Sequence, residues 1–315
     1  MKKMHRFLKI NCIMMALVLV FALTGCGAEP SLLRYDLSGG VTSLDPQFAD
    51  GESEQLVIYN MMEGLMRQLP SGELENGVIT GYEVSEDQTV YTFSLKEGMV
   101  WDDSENTPVT AHDFVFAFQR IFNNIYPSPF ASMYASIHNS QKVLSGQASA
   151  EELGVKALDD MTVQFTLDYA DPAFLESLAH SSAMPCSQKL FENANGKYGA
   201  TIKETYSNGP FYLMQWENGN RIYLQKNDKY YGAAEVQSPG IYLYMNRDVQ
   251  TAAQKEAAGG TAVLAPVRKK IKAGCKKYPC ILHRVLVYCI CYRGTGLGVC
   301  PLFGNAVSRR CSIGT

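Results

Sequence analysis

Tyr91-Thr92-Phe93-Ser94-Leu95, followed by Thr110-Ala111-His112-Asp113-Phe114-Val115-Phe116-Ala117-Phe118-Gln119-Arg120, is the stretch that decides the fold class. In its first part apolar and hydroxyl side chains alternate, the period of a strand with one buried face. From its second part onward Phe114, Phe118 and, just past its end, Ile121 recur at helical spacing, with Val115 and Phe122 beside them. Thr110 is placed to cap that helix, and Asp113, at the third helical position, to complement its free amides. A chain that changes period over so short a span builds strands and helices into one body, so the fold class is α/β in the broad sense, mixed α+β.

Working outward, the strand at 91–95 pairs with the preceding segment as a hairpin over 82–95, turning at Ser85-Glu86-Asp87-Gln88. A second hairpin is predicted over 155–167, turning at Asp159-Asp160, and a third joins 211–216 to 221–225 through Asn218-Gly219-Asn220, residues that tolerate positive φ. Short strands are expected at 32–37 and 241–245. Asp171-Pro172 opens a short helix, and a further helix is expected over 248–258. Pro46 holds Asp45 out of helical geometry. From Ser53 a helix is expected whose stripe of Leu56, Tyr59, Met61 or Met62, and Met66 reads as core.

The two ends differ from this middle. Lys2, Lys3, Arg6 and Lys9 precede an apolar run over 10–23, and Leu23-Thr24-Gly25-Cys26 closes it. A basic start, a short apolar stretch and small residues before a cut form a secretory signal. The run is shorter than the roughly 20 residues a spanning helix needs. Residues 1–26 are therefore expected to be a lipoprotein signal with Cys26 as the lipidated residue, holding the mature protein outside the cytoplasmic membrane. The net charge of −3 conceals an opposition: residues 31–250 hold 29 acids against 13 Lys or Arg, a net −16, while residues 251–315 carry a net +10. Six of the nine cysteines also fall in that last segment, at 275, 280, 289, 291, 300 and 311. A boundary near residue 255 follows.

The ordered set Ser43-Leu44-Asp45-Pro46, Tyr91-Thr92-Phe93-Ser94-Leu95-Lys96, Trp101 with Pro108 through Arg120, Ser207-Asn208-Gly209-Pro210-Phe211, Leu224-Gln225-Lys226-Asn227 and Tyr230-Tyr231-Gly232 resembles the extracytoplasmic oligopeptide-binding proteins of ABC importers, the family-5 solute-binding proteins. The resemblance runs from residue 31 to about 254. It implies periplasmic-binding-protein-like type II lobes, here incomplete, and a binding protein rather than an enzyme. Such a protein closes two lobes over a peptide and passes it to ABC permease subunits in the membrane. It implies residues 27–53 as the start of domain I, 54–185 as the small domain II and 186–255 as the continuation of domain I. It also carries ligand roles onto Asp50, Gly51 and Glu52, which would pair with a peptide backbone, and onto Phe130 and His180, which would line the pocket. Strand-like pairing binds any peptide, and aromatic walls add contact area with little sequence choice. A structural role stands beside three of these: Phe130 as core, Asp50 and Glu52 as solvated acids.

Residues 256–315 do not continue the family pattern, and two readings of them stand. One is a shifted reading frame, which changes composition abruptly and leaves no native domain. The other is a Cys-rich unit holding a metal or disulfides on a secreted lipoprotein with no transport role; its cysteines include no C-x-x-C pair. The Gly294-Thr295-Gly296-Leu297-Gly298 run lacks the spacing of a dinucleotide turn. No G-x-S-x-G, H-E-x-x-H or phosphate-cradling P-loop occurs, and the five histidines show no metal-ligand spacing. No catalytic group, cofactor, metal or nucleic-acid partner is expected; the expected partners are a peptide, the permease and, through the lipid anchor, the membrane.

Overall fold

In β5 (Val90–Leu95) the alternation sends Tyr91, Phe93 and Leu95 inward and leaves Ser94 exposed. The computed structural model, which describes residues 32–69 and 71–245, places β5 inside an antiparallel sheet of order β4–β5–β7–β6. Its other strands are β4 (Ile79–Val84), β6 (Val155–Asp159) and β7 (Thr162–Thr166). The two hairpins expected at 82–95 and 155–167 are its outer pairs, and they meet through β5 and β7 in register Phe93↔Val163.

The helix expected from the opening stretch is α2 (Ala111–Ile121). Asp113 Oδ2 accepts from the Thr110 amide at 3.0 Å and from the Trp101 indole at 3.1 Å, so one carboxylate closes the helix start and orients a buried tryptophan. Burial pushes the Asp113 pKa up to about 6, against the lowering effect of those two donors. Phe114, Phe118, Ile121 and Phe122 are buried. The Phe118 ring meets Tyr134 and Phe165 edge-on, each at 5.0 Å, so α2 covers one face of the sheet.

The second sheet has the order β1–β10–β9–β8, with β1 (Leu33–Asp36), β8 (Phe211–Glu217), β9 (Arg221–Lys226) and β10 (Gly240–Tyr244). β8 and β9 form the third expected hairpin, and β1 joins β10 in parallel, Leu33↔Ile241. Phe211, Leu213, Ile222, Leu224, Ile241 and Leu243 are its buried face. A short ladder of β2 (Met66–Gln68) and β3 (Leu74–Asn76) was not visible in the sequence pattern.

α1 (Glu52–Met61) corrects the expected stripe. Met61, Met62 and Met66 are buried as expected, and so are Val57 and Ile58, while Leu56 and Tyr59 pack only partly against the core. The helix stops at Met61, since Met62 is extended, and Met66 belongs to β2. Tyr59 sits at the rim because its hydroxyl accepts from the Ser181 amide at 3.0 Å. Three small helices complete the set used below: α3 (Ser140–Leu144), α4 (Phe174–Ser177) and α5 (Gln188–Asn193).

The two sheets are laced together by backbone-like pairings. Asn208 and Glu63 exchange two hydrogen bonds at 3.1 and 2.9 Å. Asp102 donates to Ser207 O at 2.9 Å and accepts from Ser207 N at 2.7 Å. Gly209 is required between them, because a Cβ there would lie 2.7 Å from Met61 O. The expected signal over 1–26 with Cys26, the helix at 248–258 and the tail at 256–315 lie outside the described residues.

Candidate functional site

Glu54 shapes the loop that precedes α1. Its carboxylate accepts from Thr42 N and Thr42 Oγ1 at 2.7 Å each, Ser43 N at 3.0 Å and Gly51 N at 3.4 Å. Burial would raise its pKa, but these donors outweigh burial and hold it below the usual carboxylate range. Residues 42–51 are thus drawn over one charged side chain. Asp50 and Glu52 are left exposed, Gly51 is the N-cap of α1, and Glu52 Oε2 accepts from Ser38 Oγ at 3.2 Å.

Further back, the same loop is held by a buried ion pair. The Arg120 guanidinium of α2 makes a two-pronged contact with the Asp45 carboxylate, Nη1 to Oδ1 at 3.0 Å and Nη2 to Oδ2. The guanidinium lies 4.2 Å from the Phe191 ring centre and 5.3 Å from that of Tyr198, an aromatic enclosure that suits a planar cation. Cys186 Sγ lies 3.4 Å from Arg120 Nη1. Burial pushes that thiol up to about 12, so Cys186 acts there as an acceptor and not as a nucleophile.

Phe130 and His180, expected from the sequence as lining residues, are brought together, with ring centres 4.8 Å apart at 56°. Phe130 precedes the 3-10 turn Ala131–Tyr134, and His180 caps the turn Ser181–Ala183. His180 Nδ1 accepts from the Ser182 amide at 3.2 Å. An amide only donates, so Nδ1 carries the lone pair and the ring proton is on Nε2. The Ser182 hydroxyl bridges His180 Nδ1 at 2.9 Å and Tyr134 Oη at 2.7 Å.

The exposed Asp50–Glu52 edge has partners of its own, and the connection between it and the ring pair runs through Gln47. Gln47 Nε2 donates to Ser182 O at 3.2 Å and to Met184 O at 2.9 Å, and Ser128 Oγ donates to Gln47 O. Sequence reasoning missed Gln47, Tyr59 and Ser182. Tyr59 lay on the stripe read as core, and nothing in one sequence separates Gln47 from any polar loop residue. What results is a wall made of an exposed turn, an aromatic–imidazole pair and a hydroxyl network, which offers stacking area and polar contacts.

A cavity of about 360 Å³ lies elsewhere, lined by Asp102, Asp103, Glu105, Lys189, Lys203 and Tyr206 among others. It contains none of the residues expected to bind ligand. Its walls are charged, and Lys189 and Glu105 pair with each other at 2.5 Å; the aromatic wall is the better candidate because it holds the residues expected to bind ligand. Among the described residues no group of three His, Cys, Asp or Glu side chains is placed to hold a metal ion, and no helix is long and apolar enough to cross a membrane.

Comparison with known proteins agrees with the expected fold. The periplasmic oligopeptide-binding protein OppA of Salmonella typhimurium is 35% identical over 225 residues, covering 70% of this chain and 41% of that protein. The substrate-binding domain of an oligopeptide ABC transporter from Bacillus anthracis superposes with a TM-score of 0.70 at 29% identity, over 73% of this chain and 45% of that one. Listeria monocytogenes OppA bound to peptide gives 0.70 at 27% identity, over 74% and 46%. The chain therefore spans less than half the length of each. Its mixed helix and sheet content forms an incomplete version of the type II binding-protein architecture. The model of the bacterial extracellular solute-binding proteins, family 5 Middle, matches residues 73–274, so the likeness extends past its expected end near residue 254. On that match, which takes in well over half of its residues, this chain belongs to the bacterial extracellular solute-binding proteins of family 5.

Proposed function

We propose that residues 32–245 form the part of an extracytoplasmic peptide receptor that presents one wall of the binding cleft, and that the receptor serves an ABC importer. The observation that carries the reading is the Phe130–His180 ring pair at 4.8 Å, held beside the loop that ends in Asp50, Gly51 and Glu52. The names of the relatives, an oligopeptide-binding protein and a peptide-bound receptor, point the same way. Asp50, Gly51 and Glu52 face the peptide backbone in this reading, and Phe130 and His180 take a side chain. Residues 54–185 make the small domain and residues 27–53 with 186–255 one continuous domain, an assignment supported by the parallel pairing of β1 with β10 across the chain. Cys26 carries the lipid that keeps the protein outside the cytoplasmic membrane, and the permease receives the peptide. The receptor binds and releases; it does not catalyse.

The test is calorimetric titration of the purified chain with trialanine. Binding by the wild type, weakened about tenfold by Phe130→Ala, is the expected result, equivalent to about 1.4 kcal/mol. Absence of any heat of binding at millimolar peptide, or equal affinity in the variant, would sink the reading.

A further inference from the structure

Gln47 is fully buried, and its polar atoms point at three different segments. Its amide orientation is dictated by chemistry. Arg120 Nη1 lies 2.5 Å from Oε1 and can only donate, while Ser182 O and Met184 O lie 3.2 and 2.9 Å from Nε2 and can only accept. Both Nε2 hydrogens are therefore used. The main chain is engaged as well: Gln47 N donates to Asp45 Oδ1 at 3.3 Å, and Gln47 O accepts from Ser128 Oγ. Ser128 Oγ in turn accepts from Phe130 N at 3.1 Å.

From this geometry we infer that Gln47 is the positioning residue of the candidate site, holding the Asp45–Glu52 loop, the Ser128–Phe130 turn and the His180–Met184 wall in one arrangement. The inference rests on the peptide-binding reading for its functional meaning, but its structural content stands separately. Neither of its closest isosteres satisfies the position. Glutamate would keep the contact to Arg120 and set an oxygen against two carbonyl oxygens. Methionine would fill the volume and leave Ser182 O and Met184 O without their donor, each a buried group deprived of a hydrogen bond, and would hand the Arg120 Nη1 hydrogens to Asp45 and the weaker acceptor Cys186. Arg120 and Asp45 fix Gln47 from behind, so the guanidinium acts on the ring pair through the amide and not directly.

The test uses three variants of the full chain: Gln47→Glu, Gln47→Met and the milder Ser128→Ala. Proton NMR reads the His180 ring signals, identified by their loss in His180→Gln. Phe130→Leu gives the displacement that the Phe130 ring imposes on them. Thermal unfolding is measured alongside, and trialanine affinity is read by calorimetry. The expected result is that Gln47→Glu and Gln47→Met move the His180 signals toward their Phe130→Leu positions and lower trialanine affinity about tenfold. Ser128→Ala produces a smaller movement in the same direction at near wild-type Tm. The inference is overturned if the His180 signals of folded Gln47→Glu or Gln47→Met keep their wild-type positions. Should both Gln47 variants fail to fold, Ser128→Ala decides by the same criterion. If the signals move while trialanine affinity is unchanged, or if the wild type binds no trialanine, the peptide reading of this wall fails and the positioning role stands.

Discussion

At the residue scale, Asp102 is a carboxyl group the fold accepts against its own preference. It is largely buried, and burial raises its pKa to about 6 from the ordinary aspartate value of 3.8, although Ser207 N donates to it at 2.7 Å. The sign of the linkage follows. A group whose folded pKa lies above its unfolded value contributes stability that is present in full below about pH 3.8 and is lost as pH rises through about 6. Asparagine preserves the acceptor and does not titrate. Relative to Asp102→Asn, the wild type should therefore gain up to about 3 kcal/mol between pH 7 and pH 4. Urea unfolding of both proteins at the two pH values measures it, with all other titrating groups cancelling in the difference. A difference that stays constant, or shrinks toward pH 4, would show that Asp102 is ionised at its ordinary pKa and that the bond from Ser207 outweighs burial.

At the scale of elements, α2 is the piece whose sequence and structure agree most closely. Its apolar spacing, its cap and its acid at the third position are all local signals, and each is made inside the element. Phe118 is fully buried and sits edge-on to two rings, so Phe118→Ala leaves a cavity among rigid neighbours that cannot collapse into it. A loss of about 3–5 kcal/mol in unfolding free energy is expected from chemical denaturation; a loss below about 1 kcal/mol would mean that α2 shifts to fill the space. The three hairpins were legible for the same reason, since alternation and turn residues lie side by side in the chain. Elements whose evidence is non-local were not. The β2–β3 ladder is three residues a side, too short to show a period. The stripe expected on α1 is right at Met61, Met62 and Met66 but ranks Leu56 and Tyr59 above Val57 and Ile58, because four apolar residues in a row admit two stripes and packing rather than spacing buries the middle pair. Of the candidate site, the types and positions of Phe130 and His180 came from family resemblance. Their contact at 4.8 Å, and the amide of Gln47 behind them, depend on turns separated by long stretches of chain and leave no periodic trace.

At the scale of the whole molecule, the two four-stranded sheets share one continuous apolar core. Phe93, Phe165 and Phe118 on one side and Phe211, Ile222 and Leu224 on the other belong to the same buried cluster. The crossings are reinforced where Asn208 meets Glu63 and Ser207 meets Asp102. Tyr230 Oη donates to Glu63 Oε2 at 2.7 Å, and Arg67 Nη1 donates to Glu63 Oε1 at 3.2 Å, so a buried carboxylate ties the segment after β9 to β2. Sheets joined only by a linker unfold separately, whereas sheets joined through a common core have no interface to open without exposing it. Residues 32–245 should then unfold as one cooperative unit. Native-state hydrogen exchange on the wild type, Phe118→Ala and Ile222→Ala distinguishes the two behaviours. If the core is shared, each substitution lowers the protection of β5 and β7 and of β9 and β10 by the same free energy, although each removes a side chain from the neighbourhood of only one sheet. Protection lost in the substituted sheet alone would make the two sheets independent folding units, and the pairings at Ser207 and Asn208 would then be contacts between finished domains.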